Sequence, residues 1–172
     1  MSHIDQIQIS YVPDEDRLLL RLSTQAQEEF RLWLTRRLVK LLRPALDQSL
    51  AAQPRIQTQA SAEARQELLR FEHEKVLRAA DFHTPYRATE KQLPLGPQPL
   101  VVTRISLRRQ DDGGVALLLT PSQGQGVDLA LTPALLHSLV ALLDSALAQS
   151  DWTLHEPNLA ATAPTATPVS VN

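Results

Sequence analysis

Phe30–Leu50, FRLWLTRRLVKLLRPALDQSL, changes its period in the middle. Phe30, Leu32 and Leu34 alternate with Arg31 and Trp33, the two-residue repeat of a half-buried strand. From Thr35 onward the apolar residues fall at helical spacing instead. Leu38, Leu41, Leu42, Ala45 and Leu46 share one side, and Arg36, Arg37, Lys40 and Arg43 are turned outward. Thr35 stands at the junction, its hydroxyl placed to accept a free N–H of the first helical turn. Pro44 lacks an N–H and crowds the carbonyl four residues back, which predicts a kink there or a break soon after.

Two strands precede this unit. Ile7, Ile9 and Tyr11 alternate with Gln8 and Ser10, Pro13-Asp14-Glu15-Asp16 turns the chain, and Leu18, Leu20 and Leu22 alternate again. The reading is a three-stranded antiparallel meander followed by a helix. The same succession returns after Leu100. Val101, Thr103, Ile105 and Leu107 form a strand, Asp112-Gly113-Gly114 a hairpin turn, and Val115, Leu117 and Leu119 the next strand. Val127, Leu129 and Leu131 form a third, and Thr132-Pro133 starts a helix. That helix spaces Leu135, Leu136, Leu139, Leu142, Leu143, Ala146 and Leu147 on one apolar side.

Asp14 to Ala51 overlays Asp111 to Ala148 without a gap. The overlay matches Leu20 with Leu117, Leu22 with Leu119, Leu32 with Leu129, Leu34 with Leu131, Thr35 with Thr132, Leu46 with Leu143 and Asp47 with Asp144. Only the first strands need a shift of one residue. We read this as a tandem repeat. Each half alone has one apolar sheet face and one helix, too little to be stable, so the halves are expected to pair about a pseudo-twofold axis.

Between the repeats, Ala52–Ala60 reads as a polar loop, and Ser61 caps a charged helix reaching about Ala80. His83 to Pro99 holds too many prolines for regular structure and reads as an extended crossover. The expected class is therefore α+β. One domain spans 1–158, with repeats at 4–52 and 100–152, a joining segment at 53–99 and a disordered tail at 159–172.

Composition narrows the chemistry. Aromatic residues are only 4% of the 172, so the core must be mainly aliphatic. With no cysteine, disulfides, thiolate metal sites and a thiol nucleophile are excluded. The start of the chain lacks a basic and then apolar leader, and no apolar run approaches the length of a membrane span, so a cytoplasmic protein without a membrane partner is expected. All 17 Lys and Arg lie at or before Arg109, leaving the first 109 residues at about +4 and the remainder at −6.

YVPDEDRLLLRLSTQAQEEFRLWLTRRLVKLL and, more loosely, ADFHTPYRATEKQLPLGPQPLVVTRI resemble a family of short uncharacterised proteobacterial proteins, which implies no function to transfer. The tandem meander-plus-helix arrangement is similar, in topology alone, to the Whirly-like fold of proteins that bind single-stranded DNA and guide RNA. The basic, aromatic-bearing sheet edge and the Lys-Gly-rich strand motif used there are not found in this sequence.

The candidate binding residues are Trp33, Arg36, Arg37, Lys40 and Arg43. Cations in the first turn of a helix oppose its dipole, and that misplacement points to an anion held there. The competing reading is a solvated face, or pairing with Glu28, Glu29 or the charged middle helix. Trp33 faces away from Leu32 and Leu34. It is a stacking platform, an anchor for a partner, or a side chain packed under a covering segment.

The five histidines show no metal-ligand spacing, and His137 falls on the polar side of its helix, where a surface position is expected. No catalytic motif, cofactor or metal site is read. The expectation is a non-enzymatic binding or adaptor protein for an acidic partner. A single-stranded nucleic-acid binder is the alternative, and a homodimer pairing basic with acidic halves a third.

Overall fold

The computed structural model describes residues 3–87 and 90–154. Six strands form one mixed sheet in sequence order: β1 (Ile4–Val12), β2 (Arg17–Thr24), β3 (Glu29–Leu34), β4 (Leu100–Arg109), β5 (Val115–Pro121) and β6 (Val127–Leu131). All neighbours are antiparallel except β3 and β4, which run parallel through Leu32↔Leu100 and Trp33↔Val101. Four α-helices complete the described residues: α1 (Arg36–Ala51), α2 (Pro54–Gln57), α3 (Ala62–Ala79) and α4 (Pro133–Leu147). The protein is α+β, as the change of period predicts.

Alternation decides what the sheet buries. Leu18, Leu20 and Leu22 of β2, Leu32 and Leu34 of β3, and Val115, Leu117 and Leu119 of β5 all point to one face. There they meet Leu38, Val39, Leu42 and Leu46 of α1 and Leu136, Leu139, Val140 and Leu143 of α4 in a single apolar cluster. Burying each leucine contributes roughly 1.5–3 kcal/mol. Thr35, Ser61 and Thr132 cap α1, α3 and α4, each hydroxyl accepting the N–H of the residue three positions on.

The two hairpins have the same internal geometry. Leu18, Leu20 and Leu22 pair with Leu34, Leu32 and Phe30, and Val115, Leu117 and Leu119 pair with Leu131, Leu129 and Val127. Left-handed backbone occurs at Asp16 (φ 46°) and Gln27 (φ 60°), and again at Gly113 (φ 84°) and Gly124 (φ 88°). A register irregularity lies between Ile4 and Gln6 and another between Val102 and Arg104. α1 packs against β4, and α4 against β1.

Four expectations need correction. Leu41 is 61% exposed, because the buried stripe of α1 runs through Leu38, Val39, Leu42, Leu46 and Leu50 instead. Pro44 does not break α1, which continues seven residues past it to Ala51. The supposed loop 52–60 contains the short α2, whose Ile56 is buried in front of the β4–β5 turn. His137 is 2% exposed, because α3 lies across that side of α4. The expected disordered tail, 159–172, lies outside the described residues.

After α3 the chain passes the outer edge of β1, where residues 80–87 face Ile4–Ile9 across a cavity. Tyr86 lies on the sheet face opposite the helices, Gln92 pairs beside Glu28, and Pro94 and Leu95 line a cavity with Leu22, Phe30 and Leu129 before the chain joins β4. This strap is pinned at several points. The Arg21 guanidinium lies 4.2 Å from the centre of the Tyr86 ring, Gln92 bridges to Gln27 and Glu29 through backbone bonds, and Arg31 donates to the Pro97 carbonyl. Covering an edge strand in this way removes a template for unwanted pairing.

Candidate functional site

The candidate residues divide among three places. Trp33 alternates with the buried Leu32 and Leu34, so it projects from the strap side of the sheet, away from the helices. There it is half-buried between Leu19 and Val101, its neighbours on β2 and β4. Arg36, Arg37 and Lys40 lie in the first turns of α1 on the solvent side of the helix layer; Arg37 and Lys40 are among its most exposed side chains. The structure therefore does not bring Trp33 onto the surface formed by these cations.

Arg43 has a different role. It donates from Nε and Nη2 to the Asp144 carboxylate at 2.6 and 2.9 Å and also pairs with Asp47. Burial opposes its charge, but its hydrogen bonds to both aspartates outweigh that and raise its pKa. A bidentate guanidinium–carboxylate pair has fixed geometry. Arg43 thus ties α1 to α4. Lining one groove with Lys40, Pro44, Trp152 and Leu154, it belongs to the joint between helices.

Arg36 and Arg37 have no ion-pair or hydrogen-bond partner among the described residues, and the first turn of α1 carries no acid. One helical turn beyond Arg37 stands the exposed Leu41. Two cations, an apolar side chain and the positive end of a helix dipole therefore share one small surface, which suits a carboxylate-bearing ligand with an apolar group.

Sequence reasoning missed two buried polar clusters. The first lies beneath the strap. Glu29, 2% exposed, accepts from Arg21 at 3.1 and 3.2 Å and from Arg31 at 2.6 Å. Burial pushes its carboxyl up, but the two guanidinium groups outweigh that and hold it below the usual range. The sequence signal was available: Arg21, Glu29 and Arg31 alternate with leucines and phenylalanine on the polar side of their strands.

The second cluster is at the contact of α3 with α4, where His73 Nδ1 and His137 Nδ1 stand 3.0 Å apart. One ring nitrogen must donate and the other accept, so the pair does not tolerate a proton on both. Burial, and then the neighbouring His73, lower the His137 pKa to about 4, with Glu72 acting in the opposite direction. Among the described residues no group of three or more His, Cys, Asp or Glu is arranged to hold a metal ion. Nor is any described helix long and apolar enough to cross a membrane.

Comparison with known proteins gives no match to a family model, a curated protein or a solved structure.

Proposed function

We propose that this protein is a non-enzymatic binding or adaptor protein that takes an acidic partner on the outer side of α1, through Arg36 and Arg37 with Leu41 beside them. One observation carries the reading: both guanidinium groups are unpaired at the helix end where cations are least favoured, while Arg43 on the same helix is paired with two carboxylates. Sequence that served helix stability alone would place acids there. The competing single-stranded nucleic-acid reading needs Trp33 beside these cations, and the sheet stands between them.

The test is a salt-titrated fluorescence anisotropy assay with two labelled probes, an oligoglutamate peptide carrying a central leucine and an oligothymidine strand. Peptide binding that weakens with salt and disappears in Arg36→Ala/Arg37→Ala supports the proposal. Oligonucleotide binding abolished by the same pair, with a log–log salt slope of about −2 for two phosphate contacts, replaces it with the nucleic-acid reading. Silence of both probes at low salt removes both readings.

We further infer that the two meander–helix units descend from one duplicated module and relate by a pseudo-twofold rotation. Support comes from features that leucine patterning does not dictate. Under the ungapped overlay Asp16 falls on Gly113 and Gln27 on Gly124, so every left-handed residue of the first unit has a left-handed counterpart. Contacts between units are reciprocal as well. α1 lies on β4 and α4 on β1. The segment after α1 covers the β4–β5 turn, while Trp152, after α4, donates from Nε1 to Asp16 in the β1–β2 turn at 2.6 Å.

A further inference from the structure

The face of the sheet opposite the helices differs sharply between its halves. Over β2 and β3 Tyr86 of the strap sits on Arg21, and the cations Arg21 and Arg31 share the single carboxylate of Glu29. Over β4–β6 no described segment is seen to cover it. Thr103, Arg104, Ser106, Arg108, Leu118, Asp128 and Ala130 are exposed there.

Register fixes how these side chains meet. Leu118 lies opposite Ser106 on β4 and Asp128 on β6, and Arg104 and Arg108 stand opposite Thr120 and Ala116. The two arginines therefore flank Leu118 diagonally, a separation that long side chains bridge. Leu118 is 39% exposed, and neither Arg104 nor Arg108 has a partner among the described residues.

The strapped half shows what such a face can hold. Its covering segment is proline-rich, and it seats an aromatic ring, Tyr86, on Arg21. In the overlay Arg21 corresponds to Leu118, Arg31 to Asp128 and Glu29 to Gly126. The second half thus lacks the buried carboxylate that pairs with both arginines of the first and offers an apolar seat in place of the guanidinium one. Gly126 keeps that seat open, because a Cβ there would meet Leu118 Cδ1 at 2.9 Å.

We propose that the bare face of β4–β6 docks an extended acidic peptide segment of a partner protein, with an apolar or aromatic side chain on Leu118 and carboxylates on Arg104 and Arg108. Charge complementarity selects an acidic ligand, since the face carries two unpaired cations and its one acid, Asp128, stands on the far strand. An apolar seat favours a peptide over a nucleic acid, because the half-buried Trp33 is the only aromatic side chain on this face of the described strands.

The probe is a fluorescein-labelled decapeptide of glutamate and proline with one central phenylalanine, followed by anisotropy and by amide chemical shifts of the full chain. Saturable, salt-sensitive binding is expected, with shifts centred on Ser106, Arg108 and Leu118. Reversing both charges (Arg104→Glu/Arg108→Glu) is expected to weaken it about tenfold, and Leu118→Asn about fivefold, the scale of exposed ion pairs and one apolar seat. Both variants change exposed residues, and an unchanged thermal midpoint shows that they fold.

Arg36→Ala/Arg37→Ala is expected to leave these β4–β5 shifts in place, which separates failure of this site from failure of the α1 site. No binding, binding indifferent to the three β4–β5 substitutions, or shifts confined to α1 overturns the proposal. Oligothymidine displacing the peptide at Arg104 and Arg108 with higher affinity overturns it in favour of a nucleic-acid surface.

Discussion

The β2–β3 and β5–β6 hairpins share their register, their left-handed turn positions and their buried leucines, yet their other faces have opposite characters. One places Glu29 between two arginines under a proline-rich cover; the other exposes Leu118 and leaves the neighbouring arginines of β4 unpaired. The lesson is that the two faces of a strand answer to separate constraints. Inward side chains set how the hairpin packs, and both hairpins keep them. Outward side chains are set by what lies over them, and among the described residues only the first hairpin has a cover from its own chain.

The comparison is best broken in the core. Leu32→Ala and Leu129→Ala should each cost about 3–4 kcal/mol, since both residues are buried, at positions that the ungapped overlay matches, and each truncation leaves a cavity. Urea denaturation checks this, and a difference above about 2 kcal/mol between them would mean that the halves do not share a core environment.

Acidification gives the next effect. An imidazole takes a proton near pH 6.5 in the unfolded chain, while His137 resists it until about 4 in the fold. Stability from this group is therefore complete above 6.5 and is lost as the pH falls from 6.5 to 4, by about 3 kcal/mol. His137→Leu should flatten the pH dependence of the urea midpoint across that window. A slope unchanged by the substitution would place the titration elsewhere. Glu29 acts lower on the scale: its depressed carboxyl stabilises the fold above the ordinary carboxylate range, and that contribution is lost as the pH drops through its folded value.

Contrasting the outer faces directly, Glu29→Gln should cost about 2 kcal/mol, less than a fully buried pair because both arginines keep some solvent. Asp128→Asn, at the exposed place corresponding to Arg31, should stay within about 0.5 kcal/mol. Chemical denaturation of the two variants side by side measures the contrast. Smallest are the caps. Thr35→Ala and Thr132→Ala should each cost about 1 kcal/mol, and thermal midpoints lowered equally would sharpen the equivalence of the two helix starts.

Much of this was written in local sequence. The alternation of Leu18, Leu20 and Leu22, that of Val115, Leu117 and Leu119, the switch of period at Thr35, and the Thr132-Pro133 start each act over a few residues, where backbone geometry alone relates neighbours. The error at Leu41 has a physical cause: helical spacing admits a stripe wider than the groove between sheet and neighbouring helix covers. His137 was misplaced because its polarity matched the outer side of an isolated α4, and only the docking of α3 buries it. Arg43 was grouped with Arg36 and Arg37 by position on one helix, whereas its partner Asp144 is on another.

The amino-acid order by itself determined which of the longer segments become strand or helix, where each long helix begins, and most of the side chains that avoid water, because those follow from period, capping and solvation of neighbouring residues. Tertiary structure alone decided the parallel joint between β3 and β4, the course of the strap, the engagement of Arg43 and Glu29, and the exposure of Arg104, Arg108 and Leu118. These depend on contacts between residues far apart in the chain, and such contacts carry no local signature.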